Sequence, residues 1–195
     1  MSRAGSGTPI LRPTLPVWAV VASGRRAHIE RVVALVDRWA TAMGVPEAER
    51  ARWLRAAWLH DSLRDAPRDL LEALAPSAPG PAELRHGPAA AAKASAEGET
   101  DQGVLDAVRY HSVGCVEWDM PGRVLYCADY LEPGRAFDAV ARAELARRFP
   151  ADPGGVVRDV AQRRLLHLID SCWPLPEPTV RFWNSLTVTS SVELH

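Results

Sequence analysis

Lysine is almost missing from this chain of 195 residues: Lys93 stands alone, and arginine supplies the rest of the positive charge. With 23 basic and 24 acidic side chains the formal net charge is −1, which excludes a global field drawing the protein to nucleic acid or to a membrane surface. Any recognition of phosphate has to be local. Cysteine is scarce too. Cys115, Cys127 and Cys172 are widely spaced and form no CxxC pair, which excludes a disulfide framework and fits a reducing cytoplasm. No apolar run approaches the ~20 residues needed to span a bilayer. Leu15 to Ala22 is apolar and follows Arg3 and Arg12, but it is short for a signal peptide and contains Pro16. No internal repeat is present, and no alternation of apolar and polar residues is long enough to build a sheet.

What remains is a chain that is 47% hydrophobic, enough to close one substantial core. Residues 1–16 are rich in Gly, Pro, Ser and Thr and read as a flexible arm; residues 17–187 read as one domain and 188–195 as a tail. Ile29, Val32, Val33, Val36 and Ala40 follow helical spacing between Arg25 and Met43, where Gly44 stops the pattern. A second helix is expected from about Pro46 to Leu63, burying Leu54, Ala57 and Trp58, and a short third from Arg68 to Ala75. The proline-rich stretch from Pro76 to Pro88 cannot continue a helix. Pro88 to Glu97 is alanine-rich, and Asp101 is a plausible N-cap for a helix reaching His111. Pro121 opens a helix that Pro133-Gly134 closes. Further helices are expected over Ala136 to Arg148, Gly155 to Ser171 and Val180 to Leu186, so the fold class is all-α.

The informative anomaly is ionisable residues on faces that otherwise read as core, where an unpaired charge is costly. Asp61 lies four residues after Ala57 and extends the apolar stripe of the second helix, with His60 beside it. His111 lies three after Val108, His28 adjoins Ile29, and Asp129 follows Ala128. Each histidine alone would more often be a hydrogen-bonded core or helix-surface residue. Together they call for compensation, and a divalent cation bound by neutral imidazole and ionised carboxylate supplies it. His167 and His195 lack such company and read as structural or exposed.

The order His28, His60-Asp61, Asp129 resembles the metal set of the HD-domain superfamily, helical metal-dependent phosphohydrolases. The surrounding blocks RRAHIERV (25–32), AAWLHDSLRD (56–65), LRHGPAAA (84–91), AVRYHSVG (107–114) and YCADYLEPGRAF (126–137) are more specific. They resemble the YqeK-type branch, the bacterial symmetrical diadenosine tetraphosphate hydrolases, over roughly residues 17–187. The resemblance implies an HD-domain helical bundle and extends the metal set to six residues by adding His86 and His111. These suit two ions: Asp61 bridging, with His28, His60 and Asp129 on one and His86 and His111 on the other. It implies iron, divalent or mixed-valence, with manganese or another transition metal compatible with the same donors. The implied reaction is attack by a metal-activated water at the central anhydride of diadenosine tetraphosphate, giving two ADP.

Arg135 in the EPGR block is the leading candidate for holding phosphate, against an ordinary ion pair with Glu132 or Asp138; Lys93, Arg109 and Arg25 are weaker candidates. Many HD proteins carry lysine three residues after the HD aspartate, where this chain has Arg64. Arginine keeps the charge for phosphate binding or for orienting Asp61, but is unsuited to proton donation. Two other readings stay open: an HD nucleotidase or phosphoesterase acting on another nucleotide, and a non-catalytic nucleotide-binding or regulatory module. The expected setting is cytoplasmic, with a nucleotide substrate, no nucleic-acid or membrane partner, and a homodimer left open.

Overall fold

Ser23 to Ala42 form one helix, α1, because Ile29, Val32, Leu35, Val36 and Trp39 recur at the spacing that puts them on one buried face. The computed structural model describes residues 14–78 and 80–187. Within them the regular elements are all helices, with no strand: α2 Glu47–Leu59, α3 Arg68–Leu74, α4 His86–Ala96, α5 Gln102–Tyr110, α6 Met120–Leu131, α7 Ala139–Arg148, α8 Pro153–Asp170 and α9 Glu177–Thr187. The expected N-terminal arm falls mainly, and the expected C-terminal tail with His195 entirely, outside the described residues. No described helix is long and apolar enough to cross a membrane.

Most boundaries follow local chemistry. Asp101 caps α5 by accepting from the Val104 amide, and Asp152 caps α8 through Gly155. Pro121 sits in the first turn of α6, where its missing N–H costs nothing. Several boundaries differ from expectation, among them the starts of α7, at Ala139 and not Ala136, and of α9, at Glu177 and not Val180. The second helix stops at Leu59, not Leu63, and its buried stripe uses Trp53, Ala56 and Ala57 while Leu54 and Trp58 are half-buried. From there the chain tightens into successive i→i−3 turns, in which the amides of Ser62, Arg64 and Ala66 donate to Leu59, Asp61 and Leu63. The alanine-rich helix begins at His86, before Pro88, because a proline in the first turn is tolerated.

The core is built by α1, α2, α5 and α6, with α4 packed on α5 and α8 on α6. Trp39 stacks on Phe149 at 4.0 Å, joining α1 to the end of α7, and Trp118, Tyr126 and Phe182 form an edge-to-face cluster under α9. The extended segment before α1 straps the turn after α2: Val20 N–H donates to Ser62 O at 2.8 Å, and Ala22 N–H to Asp65 Oδ2 at 2.8 Å. All three cysteines are free thiols.

Candidate metal centre

The turn that ends α2 is what separates the jobs of His60 and Asp61. His60 is the last residue held by the helix, its amide bonded to Ala56 O, and Asp61 begins the first tight turn. Both side chains are buried, together with His28 from α1, His86 from the start of α4, His111 from the end of α5 and Asp129 from α6. Five elements thus deliver six ionisable groups to one place. Gly87 makes the α4–α5 approach close enough: a Cβ there would lie 2.9 Å from Arg109 O and 3.3 Å from His111 Cε1. The sequence pair His86-Gly87 is therefore one device, a ligand-type side chain and the space that lets it meet His111.

The ring nitrogens are assigned by their partners. Nδ1 of His60, His86 and His111 each lies 2.8 Å from a carbonyl oxygen three residues earlier, on Ala57, Glu83 and Val108. A carbonyl only accepts, so these nitrogens carry protons and donate. His28 Nδ1 is 3.1 Å from the Glu132 carboxylate and donates likewise. In the neutral rings all four Nε2 atoms therefore present lone pairs, and they turn inward. Nε2 of His28 and His60 are 3.4 Å apart, and those of His86 and His111 are 3.1 Å apart.

Asp61 sits between the pairs. Its Oδ2 is 3.7 Å from Nε2 of both His28 and His60; its Oδ1 is 3.2 Å from His86 Nε2 and 3.5 Å from His111 Nε2. Lone pairs facing lone pairs and a carboxylate, without protons between, repel unless a cation lies among them. Bonds of about 2.1 Å to one ion would set tetrahedral or octahedral ligands roughly 3.0–3.4 Å apart, close to these spacings. Two groups, His28–His60–Asp61 and Asp61–His86–His111, have the proximity to hold a metal ion, and they share Asp61.

The site's own charges are balanced by arginine. Arg25 Nη1 donates to Asp61 Oδ2 at 2.7 Å. Asp129 lies 3.1 Å from His28 Nε2 through Oδ1, takes Arg135 on that oxygen at 2.8 Å and Arg164 on Oδ2 at 2.9 Å. Asp129 thus stands beside the first triad with both oxygens engaged. Burial pushes the Asp61 and Asp129 carboxyls up, but in acid the imidazoliums of His60 at Asp61 and of His28 at Asp129, with the guanidiniums of Arg164 and Arg135 at Asp129, outweigh it and hold both well below the usual carboxylate range. Burial lowers His60 to about 4 and moves His86 down as well, which keeps both neutral and ligand-competent.

The other candidates separate. Arg64 Nη1 donates to Glu83 O at 2.6 Å, the carbonyl that also accepts from His86, so the guanidinium on Asp61 is Arg25 and not Arg64. Lys93 and Arg109 pair along their own helices, with Glu97 and Asp106. His167 is exposed and edge-on to Trp173.

Three residues escaped the sequence reading. Glu132 is buried and holds His28. Arg164 reaches Asp129 from α8. Arg142 is buried and gathers the carbonyls of Tyr130 and Glu132, which the end of α6 leaves without helical partners, and those of Arg135 and Phe137 in the loop that follows. Only Glu132 left a signal, standing three residues after Asp129 and immediately before Pro133-Gly134.

An all-helical core that turns four imidazoles onto one shared carboxylate defines a metal-binding helical bundle. The HD-domain family model matches residues 25–134, and the chain belongs to the HD-domain family. Among known proteins it resembles the symmetrical bis(5'-nucleosyl)-tetraphosphatases of Bacillus subtilis, 36% identical over 93 residues (44% of this chain, 50% of that one), and Staphylococcus aureus, 31% identical over 88 residues (45% of each). The chain spans about half the length of these curated relatives. Its fold is similar to a crystal structure from Clostridium acetobutylicum described as a predicted HD superfamily hydrolase involved in NAD metabolism, with a TM-score of 0.75 at 22% identity over 87% of this chain and 92% of that one.

Proposed function

We propose that this protein is a metal-dependent hydrolase that cleaves diadenosine tetraphosphate symmetrically into two ADP. The observation that carries the reading is Asp61, one carboxylate oxygen turned to His28 and His60 and the other to His86 and His111, the disposition of a ligand shared by two ions. His28, His60 and Asp61 with Asp129 would hold one ion, and Asp61, His86 and His111 the other; iron suits the mixed nitrogen and oxygen donors, and manganese would fit the same set. Bound there, the ions supply an acidified water and a positive charge for phosphate oxygens.

The rest of the work belongs to the chain. The backbone carbonyls of Ala57, Glu83 and Val108 and the Glu132 carboxylate fix the imidazoles so that only Nε2 faces inward. Arg25, half-buried at the edge of the cluster, and Arg135, on Asp129, offer forked donors to the phosphates of an incoming polyphosphate. The likeness to named tetraphosphatases supports the substrate. Water adds its oxygen to one of the two central phosphorus atoms, the central P–O bond breaks, and the bridging oxygen leaves on the other ADP.

The test is product identification with diadenosine tetraphosphate on Mn²⁺- or anaerobically Fe²⁺-loaded protein. ADP as the sole product is expected. AMP plus ATP contradicts symmetrical cleavage, and turnover only of other nucleotides favours a different HD nucleotidase. No hydrolysis together with no metal uptake favours a non-catalytic module.

A further inference from the structure

Glu132, Pro133 and Gly134 close α6, but ending a helix accounts only for the proline. Glu132 is 1% exposed, a carboxylate set inside the core. Gly134 does not have the positive φ that reserves a position for glycine, so its lack of a side chain answers to space. A Cβ there would overlap the guanidinium of Arg31, which stands one turn after His28 on α1. Arg31 passes over Gly134 to reach Glu132, with Nε 2.5 Å from Oε2 and Nη2 3.4 Å from Oε1. The Gly134 amide donates to the same Oε2 at 2.6 Å, which leaves Oε1 turned to His28 Nδ1 at 3.1 Å.

We infer that Arg31 is a positioning residue for the ion that His28 would hold, acting through Glu132, and that position 134 is glycine to let it pass; this rests on the metal-dependent function proposed above. A buried carboxylate whose only partners were an imidazole and an amide N–H would be costly. The forked guanidinium offsets its charge and fixes its plane, so that one oxygen stays aimed at the ring. No neighbour duplicates this. The next cation, Arg135, keeps its Nε 3.9 Å from Oε1 and spends Nη2 on Asp129. The other three imidazoles rest on backbone carbonyls, at Ala57, Glu83 and Val108, and do not touch Glu132. Arg31 therefore bears on the His28 group and leaves the group of His86 and His111 alone. It also gives the two halves of the centre different supports, a charged side-chain relay on one and the main chain on the other.

The experiment is a stepwise Mn²⁺ titration of the full-length protein, comparing wild type with Arg31→Met, Arg31→Lys and Gly134→Ala; His28→Ala marks the step that belongs to His28. Arg31→Met should weaken that step about ten-fold and leave the other within two-fold. Arg31→Lys keeps a charge on Glu132 and should recover most of the loss. Gly134→Ala should reproduce the weakening, because its methyl group meets the flexible end of Arg31 and not the backbone. Should Arg31→Met fail to fold, Gly134→Ala carries the test with the same outcomes. Unchanged or tighter binding at the His28 step overturns the assignment and leaves the centre standing. Equal weakening of both steps, or no recovery by lysine, marks a general structural role and also overturns it. A wild type that takes up no Mn²⁺ and cleaves no dinucleotide overturns the underlying function as well.

Discussion

His28 donates its Nδ1 proton to Glu132 across 3.1 Å, and Glu132 is itself held by Arg31 Nε at 2.5 Å and by the Gly134 amide at 2.6 Å. The carboxylate thereby fixes the tautomer of a ligand-type histidine and raises the basicity of its other nitrogen. Glu132→Gln should weaken Mn²⁺ affinity about 10–100-fold, the usual cost of losing such a partner. Calorimetric titration of the variant checks it; unchanged affinity would mean that His28 is oriented by packing alone.

Gly87→Ala brings a methyl group against Arg109 O, Val108 O and the His111 ring. The displacement separates His86 from His111, whereas His28 and His60 are on other elements. Metal analysis should find one equivalent lost and the other retained, with a destabilisation of about 1–3 kcal/mol from overpacking. Two retained equivalents would show that the second group does not depend on this helix approach.

Asp61→Ala should remove both metals and all hydrolysis, because one carboxylate serves both groups. Arg68→Ala, an exposed pair with Glu72 on α3, is the control and should leave both unchanged. Retention of one full equivalent in the Asp61 variant would count against a shared ligand.

Arg142→Met deletes the donors that serve four carbonyls, those of Tyr130 and Glu132 at the end of α6 and of Arg135 and Phe137 in the loop that follows. A loss on the order of 3 kcal/mol is expected, since buried acceptors stay unpartnered. Urea denaturation measures it, and a change below 1 kcal/mol would indicate that water replaces the guanidinium at no cost.

Metal-free protein should lose stability on acidification before its carboxylates titrate. His60 falls from 6.5 to about 4 on burial, so between those values the unfolded chain binds a proton that the folded one refuses; stability rises with pH through that window and drops on acidification. His86 acts in the same direction. Burial also lowers His28, but Asp129 and Glu132 more than reverse this, so His28 offsets part of the loss. Asp61 and Asp129, held far below 3.8, add a further loss only as pH falls below that value. The urea midpoint should therefore decline from pH 7 to 5, and a flat profile would contradict the burial of a neutral His60.

His28, His60, His111, Asp61 and Asp129 are legible because a polar residue in an apolar stripe is anomalous at the level of spacing itself. The histidines count only in company, since each alone reads as an ordinary core residue, while the helix starts at Pro121 and Asp101 are written in local chemistry. Glu132 and Arg164 were hidden because their partners lie 104 and 35 residues away, and nothing local distinguishes a buried salt-bridged arginine from a solvated one. The end of α2 was misplaced because Leu63 keeps a helical spacing that tight i→i−3 turns also satisfy. Asp129 stands out by spacing as well, next to Ala128, whereas His86 enters only through the resemblance; the two guanidiniums on Asp129 could not be foreseen from spacing.

Those guanidiniums bear on the order in which the protein is made. Asp61 has Arg25, Asp129 has Arg135 and Arg164, and Glu132 has Arg31, so each buried acid is matched by a cation that the chain itself encodes. Small metal-nucleated domains stay unfolded until their ion arrives. Here the buried carboxylates are already matched by arginines of the chain itself, so balancing their charge does not wait for the ion.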